Sequence, residues 1–230
     1  MPTLRIGFHQ PFEPFGFMEG ERATGWLVEL VSATLLHGAA AHRFVPLPIA
    51  RAGEALLAGE VDALAYQGVT PARQAEMDFS DPLVQTGAAL FLPQPAAPAM
   101  SLDALRGKRI ATPKAGPLYA EIMRSHPDIS VLDGVSYPDS FRAVLEGRAD
   151  AAALNFQAGL RLARQSFAGK FALPEAPYAT LPLALAVAKG RRPVLLQTFN
   201  QSLAALRASG AADELERRWL GGGDAASETA

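Results

Sequence analysis

One segment, residues 59–82, constrains the fold and function of this chain more than any other. It reads GEVDALAYQGVTPARQAEMDFSDP, which predicts a helix end, a short buried strand over residues 63–66, and a turn that carries Thr70 and Arg73. An Arg just beyond the carboxyl end of a strand can donate two parallel hydrogen bonds to a carboxylate. Ligands of open α/β sheets lie at that end of the strands. The segment therefore predicts a site for a small anion.

Strand and helix signals alternate along the whole chain, which predicts an α/β fold with mainly parallel sheets. The proline-rich residues 93–98 cannot be helical, and we interpret them as the first crossover between two lobes. The second crossover is expected near residues 178–182. The predicted division is a discontinuous lobe 1 (1–93 and 182–220), a lobe 2 (94–181) joined to it by two hinge strands, and a disordered polar tail (221–230). The ligand is expected in the cleft.

Local signals mark the ends of several predicted helices. Gly38 follows a helical stripe over residues 27–35 and offers a C-terminal stop. Ser136 and Asp139 have the spacing of a capping box, and Pro193 fits the first turn of a helix.

The composition excludes several classes of function. The net charge of the 230 residues is −2, so no basic field would attract nucleic acid or anionic lipid, and we expect no nucleic-acid partner. There is no cysteine, which excludes disulfides and thiolate sites. The four histidines lack metal-ligand spacing, and no nucleotide-binding or nucleophile motif is present. We expect neither a metal nor a cofactor.

Several fragments together resemble one family. Besides residues 59–82, they are LRIGFHQPFEPFGF, TGWLVELVSATL, SLDALRGKRIA, SFRAVLEGRADAAALN and the long C-terminal stretch that begins LPLALAVAKGRRPVLLQTFN. In this order they resemble the family 3 extracytoplasmic solute-binding proteins, the type II periplasmic binding proteins that serve amino-acid ABC importers. The resemblance implies a two-lobe periplasmic-binding-protein fold, each lobe a mainly parallel sheet flanked by helices.

The T-x-x-R pattern of the family falls on Thr70 and Arg73. The resemblance implies that Arg73 grips a ligand carboxylate and that Thr70 belongs to the same pocket wall. The alternative is an internal ion pair between Arg73 and Glu76 or Asp78.

The loop after the first strand falls where the family places an aromatic residue against the ligand. Phe12 holds that position, and both a pocket role and a core role are open for it. Glu13 could meet a cationic ligand group or be a solvated loop carboxylate, and His9 alone is weak evidence of a site.

The turn formed by Tyr66, Gln67 and Gly68 aligns with family positions that contact the ligand. Tyr66 is larger than the usual occupant, so it could shrink the pocket or donate a phenolic hydrogen bond. Ile49 and Ala50 fall where many members carry an aromatic residue followed by Asp, so one aromatic wall is absent.

Lobe 2 departs from the family pattern in two places. Gly116 and Pro117 match a ligand loop at a helix N-terminus, where free N–H groups attract anions, but the usual hydroxyl residues are absent and Pro117 lacks an N–H. Asn155 stands where amino-acid binders usually place an Asp for the ligand ammonium, and a neutral partner makes a weaker bond. Asn155 could also be a helix N-cap.

The resemblance implies a monomeric periplasmic receptor that delivers a small carboxylate-bearing ligand, an amino acid or related acid, to an ABC permease in the inner membrane by hinge closure. No apolar run reaches the length of a spanning helix. We expect a signal peptide to have been removed ahead of Met1. Two alternatives are a sensing domain of a membrane receptor or histidine kinase, and a cyclohexadienyl-dehydratase-like enzyme with Glu13 or Glu175 as proton donor.

Overall fold

The computed structural model describes residues 3–98 and 101–220. The strands are β1 (Leu4–His9), β2 (Phe17–Glu19), β3 (Arg22–Thr24), β4 (His42–Leu47), β5 (Ala63–Gly68), β6 (Met77–Phe79), β7 (Val84–Pro93), β8 (Arg109–Pro113), β9 (Ser130–Gly134), β10 (Ala151–Asn155), β11 (Phe171–Ala172) and β12 (Ala179–Ala188). The helices are α1 (Trp26–His37), α2 (Ile49–Leu57), α3 (Pro71–Gln74), α4 (Pro117–Ser125), α5 (Tyr137–Leu145), α6 (Phe156–Ser166), α7 (Pro193–Ala208) and α8 (Ala211–Leu220). A 3-10 helix spans Leu102–Leu105.

The chain forms two compact units. Unit 1 contains the described residues of Met1–Val84 and Leu183–Ala230, and unit 2 contains those of Gln85–Pro182. The chain passes between them inside β7 and inside β12. The first passage lies between Val84 and Gln85, ahead of the predicted boundary at residue 93. Strand β7 continues without a break from this passage to Pro93. The predicted tail over 221–230 lies outside the described residues.

Unit 1 is built on the strand order β4-β1-β5-β12, with β6 paired to β12. Strand β1 runs parallel to both β4 and β5, and β12 runs antiparallel to β5. All six residues of β5 are buried. One face of this sheet packs on α2 through an apolar cluster that includes Ala55, Leu56 and Leu64.

Unit 2 has the strand order β7-β10-β8-β9, with β11 paired to β7. Strands β10, β8 and β9 are parallel, and β7 is antiparallel to β10. Two apolar clusters form its core, one around Phe91 and Phe141 and the other around Ile110 and Ile122. The predicted α/β fold is confirmed, but the sheet of each unit is mixed: two strand pairs are parallel and two are antiparallel.

The predicted helix ends are confirmed where local chemistry sets them. Gly38 is the C-cap residue of α1, and Pro193 occupies the first turn of α7. At the start of α5, Ser136 Oγ accepts a hydrogen bond from the Asp139 N–H at 3.3 Å and donates one to Asp139 Oδ2 at 2.7 Å. The first bond satisfies a backbone N–H that the helix terminus would otherwise leave unpaired, and the second holds the capping hydroxyl in place.

Candidate functional site

A one-turn helix fixes Arg73 close to the end of β5. Thr70 caps this helix, since its Oγ1 accepts a hydrogen bond from the Arg73 N–H at 3.3 Å. Pro71 follows in the first turn, where its fixed φ suits the helix and its missing N–H loses no bond. The T-x-x-R spacing is thus the spacing of a helix cap, and it determines where the Arg73 side chain begins.

The Arg73 guanidinium is half-buried and largely unused. Its Nη1 donates a hydrogen bond to the Gly68 carbonyl oxygen at 3.0 Å, and across residues 3–98 and 101–220 no carboxylate lies within ion-pair distance of it. Burial lowers the pKa of Arg73 to about 10, so the group keeps its charge at neutral pH. The other N–H groups of its planar fork can therefore bind an anion.

The internal ion pairs considered for Arg73 are absent from the described structure. Asp78 pairs instead with Lys189 Nζ at 2.8 Å and accepts a hydrogen bond from the Gly190 N–H at 2.7 Å. Glu76 is exposed, and its carboxylate has no partner within the part of the chain that is described. The interpretation of Arg73 as one half of an internal ion pair is wrong.

His9 lies at the end of β1, within reach of the charge of Arg73. The imidazole is 6% exposed, and its ring centre lies 4.7 Å from that of Phe12 and 4.9 Å from that of Tyr66. Burial, and then the positive charge of Arg73, lower the pKa of His9 to about 3, so the ring is neutral. Neither ring nitrogen has a hydrogen-bond partner among the described residues.

Tyr66 packs against the His9 ring and bonds the His9 main chain. Its side chain is 0% exposed, and its hydroxyl donates a hydrogen bond to the His9 carbonyl oxygen at 2.7 Å. Burial raises the pKa of the Tyr66 phenol well above its ordinary value. Of the two roles left open for Tyr66, the structure shows the phenolic hydrogen bond, made to the main chain.

Phe12 lies in a tight turn over the same side chains. Its N–H donates to the Gly16 carbonyl oxygen at 2.9 Å, and its ring is 8% exposed. The ring centre lies 4.9 Å from that of Phe15 and 5.9 Å from that of Tyr66. Most of the ring is therefore covered by protein, with only a small face left for any ligand. We call His9, Phe12, Tyr66, Gly68 and Arg73 the carboxyl-end cluster.

Gln67 and Gly68 complete β5. Gly68 contributes the carbonyl oxygen that holds Arg73. The Gln67 side chain is buried, and alternation along the strand directs it to the sheet face opposite Tyr66. The ligand contact predicted for Gln67 therefore stays a prediction, separate from the carboxyl-end cluster.

In unit 2, the Asn155 amide is used within the fold. It is 2% exposed. Its Oδ1 accepts a hydrogen bond from the Ala158 N–H at 3.2 Å and caps α6, while its Nδ2 donates to Thr86 Oγ1 at 2.9 Å. The backbone N–H of Asn155 donates to the Tyr137 hydroxyl at 3.1 Å. The N-cap interpretation is confirmed, and a ligand role for Asn155 stays a prediction.

The loop at the start of α4 retains few free donors. Gly116 is the N-cap residue and Pro117 occupies the first turn. The Gly116 N–H donates to the Pro113 carbonyl oxygen at 2.9 Å, and the Lys114 N–H donates to that of Gly134 at 3.2 Å. Because these donors are occupied and Pro117 has none, a ligand contact by Gly116 or Pro117 stays a prediction.

Other kinds of site find little support in the described part of the chain. Within it, no group of three or more His, Asp or Glu side chains is placed to hold a metal ion. No described helix is both long and apolar enough to cross a membrane. Of the two acids considered as proton donors, Glu175 is exposed and lacks the apolar surroundings that such donors use at neutral pH; Glu13 is half-buried.

Comparisons with known proteins identify the family and the fold. The sequence profile of the bacterial extracellular solute-binding proteins, family 3, matches residues 4–222. The glutamine-binding protein GlnH of an ABC transporter of Bacillus subtilis is 27% identical over 164 residues, 70% of this chain. The match spans 59% of the GlnH sequence.

Two further proteins match nearly the whole chain. PatH of Vibrio harveyi, named provisionally as an amino-acid ABC transporter-binding protein, is 23% identical over 95% of this chain and 88% of its own length. A histidine kinase sensor domain with similarity to periplasmic binding proteins superposes with a TM-score of 0.86 at 24% identity, over 95% of this chain and 96% of that domain. The fold is therefore that of the type II periplasmic binding proteins.

Proposed function

The chain belongs to the bacterial extracellular solute-binding proteins, family 3, and from this premise we propose that it is a receptor for a small carboxylate-bearing ligand that Arg73 holds. The observation that carries the proposal is the unpaired Arg73 guanidinium. It is half-buried, it keeps its charge, and within the described residues it has one backbone acceptor and no carboxylate. A partly desolvated charge without a counterion is costly, and a ligand carboxylate would remove that cost.

The surrounding residues support the same role. Thr70 fixes the backbone at Arg73, and the Gly68 carbonyl oxygen orients the guanidinium. Tyr66 holds the end of β1 through the His9 carbonyl oxygen. In this proposal the small part of Phe12 that is exposed, 8% of the residue, contacts the apolar part of the ligand. Tyr66 acts as a support for these groups, since its own side chain has no exposed surface.

The second part of the proposal concerns transport of the bound ligand. We infer that the protein acts in the periplasm, as a monomer, and delivers its ligand by hinge closure to an ABC permease in the inner membrane. The named transporter-binding relatives support this role. Those relatives are binding proteins, which argues for binding without catalysis.

A thermal-shift screen of ligand-stripped, refolded protein tests the proposal. The panel pairs L-α-amino acids with matched acids that lack the amine. A ligand at a hundred times its Kd should raise Tm by about 5–10 °C. Arg73→Leu should abolish the shift. Arg217→Leu should keep it, because Arg217 is exposed on α8 and has no partner in the described chain.

The outcomes separate the ligand classes. A shift by amino acids that depends on Arg73 supports an amino-acid receptor, whereas shifts by amine-free acids alone indicate a changed ligand class. If an acid shifts Arg73→Leu as strongly as the wild type, Arg73 is not the anchor. If no acid shifts the wild type, the proposed function fails.

A sensing role is the second candidate, favoured by the likeness to a kinase sensor domain. In that case ligand binding would signal instead of feeding a permease. Uptake of the radiolabelled ligand by cells that lack the gene discriminates the two functions. Lost uptake supports transport, and unchanged uptake with a lost transcriptional response supports sensing.

A further inference from the structure

The imidazole of His9 is a second polar group in the carboxyl-end cluster, in addition to the guanidinium that is proposed to hold the carboxylate. His9 is a polar side chain that is 6% exposed, and neither of its ring nitrogens has a hydrogen-bond partner in the part of the chain that the structure describes. Buried polar groups are nearly always hydrogen-bonded, so an unpartnered one requires an explanation. Because the His9 side chain is not completely buried, a bound molecule can supply the missing partner.

Ring contacts and main-chain hydrogen bonds fix the position of His9. The rings of Phe12 and Tyr66 pack on it at centre distances of 4.7 and 4.9 Å. The Tyr66 hydroxyl holds its carbonyl oxygen, and the next N–H, that of Gln10, donates to the Leu47 carbonyl oxygen at 3.1 Å. The imidazole is therefore preorganised, as a residue that selects among ligands must be.

The charge state of His9 limits what it can recognise. Burial and the neighbouring charge of Arg73 lower its pKa to about 3, so the ring is neutral at physiological pH. A neutral imidazole has one N–H donor and one acceptor nitrogen. It can therefore bond a hydroxyl or a carboxamide, but it offers no charge to a second carboxylate or to an ammonium.

We propose that His9 is a specificity-determining residue, which reads an uncharged hydroxyl or carboxamide on the monocarboxylate that Arg73 anchors. The inference rests on the proposed function, because it takes Arg73 as the carboxylate anchor. It adds the class of ligand: a small monocarboxylate that also carries an uncharged hydrogen-bonding group.

A matched series of four-carbon acids tests the proposal by calorimetric titration of the stripped protein. The acids differ only at the far end: succinamate, 4-hydroxybutyrate, butyrate, succinate and 4-aminobutyrate. A second series carries an α-amine on the same skeletons: L-asparagine, L-homoserine, L-2-aminobutyrate, L-aspartate and L-2,4-diaminobutyrate. The same two series are repeated one carbon longer. The comparison within a series thus holds whether or not the site accepts an amine.

The carboxamide or hydroxyl ligand should bind about tenfold more tightly than its methyl-ended partner. His9→Leu should reduce this ratio to about one while leaving the methyl-ended acid within about threefold of its wild-type Kd. His9→Gln keeps an uncharged donor and acceptor and should restore part of the ratio. His37→Gln, a change at an exposed histidine, should leave the ratio unchanged.

Three results would overturn the assignment of His9. These are tightest binding of the dicarboxylate or the ammonium-ended acid, equal binding of the methyl-ended acid, or a ratio that survives His9→Leu. In each case binding that still depends on Arg73 leaves the receptor function intact. Absence of binding by every acid in these series would also overturn the role of His9, and the receptor function would then fail only if the thermal-shift panel found no acid either.

Discussion

The hydroxyl of Tyr66 donates a 2.7 Å hydrogen bond to the backbone carbonyl oxygen of His9, and so ties the end of β5 to the end of β1 across 57 positions of sequence. Both residues are buried. The bond joins the strand that leads to Arg73 with the loop that carries Phe12. It therefore fixes the spacing within the carboxyl-end cluster.

Removing this hydroxyl should cost stability. Tyr66→Phe leaves the His9 carbonyl oxygen buried without its partner, and we expect the free energy of unfolding to fall by about 1–2 kcal/mol. Urea denaturation followed by circular dichroism measures the change. Tyr119→Phe, at a half-buried tyrosine outside the cluster, should change it by less than about 0.5 kcal/mol. Equal effects of the two variants would contradict the importance of the bond.

The Tyr66 hydroxyl leaves no space for a side chain at position 16, so a glycine is required there. A Cβ at this position would lie 2.1 Å from Tyr66 Oη, so Gly16→Ala should destabilise the fold by about 1–3 kcal/mol. The clash and the hydroxyl should be coupled: in a Tyr66→Phe background the same substitution should cost about 1 kcal/mol less. Additive effects of the two changes in urea denaturation would rule out this contact as the cause.

His9 should make the fold sensitive to acid. Its pKa is about 3 in the folded protein and about 6.5 when unfolded, so between these values the unfolded chain binds the extra proton. Stability is therefore unaffected by His9 above about pH 6.5 and is lost as the pH falls toward 3, by up to about 1.4 kcal/mol per pH unit.

Thermal melts between pH 7 and 4.5 check this dependence. His9→Gln should flatten the fall of Tm, whereas His37→Gln should keep the wild-type slope because His37 is exposed. Arg73, whose charge acts on the imidazole, stays charged throughout this range. A wild-type slope that persists in His9→Gln would show that other groups cause the acid sensitivity.

Asp62 should be a strong anchor of unit 1. It is the partner of Arg5 Nε at 3.1 Å and also bonds Arg192, and its side chain is 11% exposed. Burial raises the pKa of Asp62, but the hydrogen bonds from Arg5 and the charges of both arginines outweigh it, and the net pKa is lowered. Asp62→Asn should cost about 2–3 kcal/mol.

The matched control for Asp62 is Asp103→Asn. Asp103 pairs with Arg106 at 2.8 Å, but both side chains are about two-thirds exposed. An exposed ion pair contributes less than about 1 kcal/mol. If the two substitutions lower the urea midpoint equally, burial of Asp62 is not what makes its ion pairs valuable.

The features that sequence predicts well are local ones. Thr70, Pro71 and Arg73 lie within one helical turn, and Ser136 with Asp139 within another, so each bond depends on spacing alone. Such short-range geometry can be inferred from residue types because the intervening backbone has few alternatives. The proposed anchor could therefore be identified without coordinates.

The roles that sequence misses depend on distant partners. His9 acquires its neutral, unpartnered state from burial and from Arg73, and Asn155 is bonded to Thr86 at a separation of 69 positions. Neither relation leaves a trace in local spacing. The passage between the units is a second example. The proline-rich residues 93–98 predict a crossover at that point, whereas the chain crosses earlier, inside β7.

The bond from Arg73 Nη1 to the Gly68 carbonyl oxygen determines when the Arg73 side chain loses its conformational entropy. A long flexible side chain that is ordered only by its ligand typically weakens binding by about 0.5–1.5 kcal/mol. Here the guanidinium is already held by its own strand, so most of that disorder is lost when the protein folds. In the proposed role, an arriving acid would meet a guanidinium whose orientation is already set. The shape of the acid would then determine its residence time.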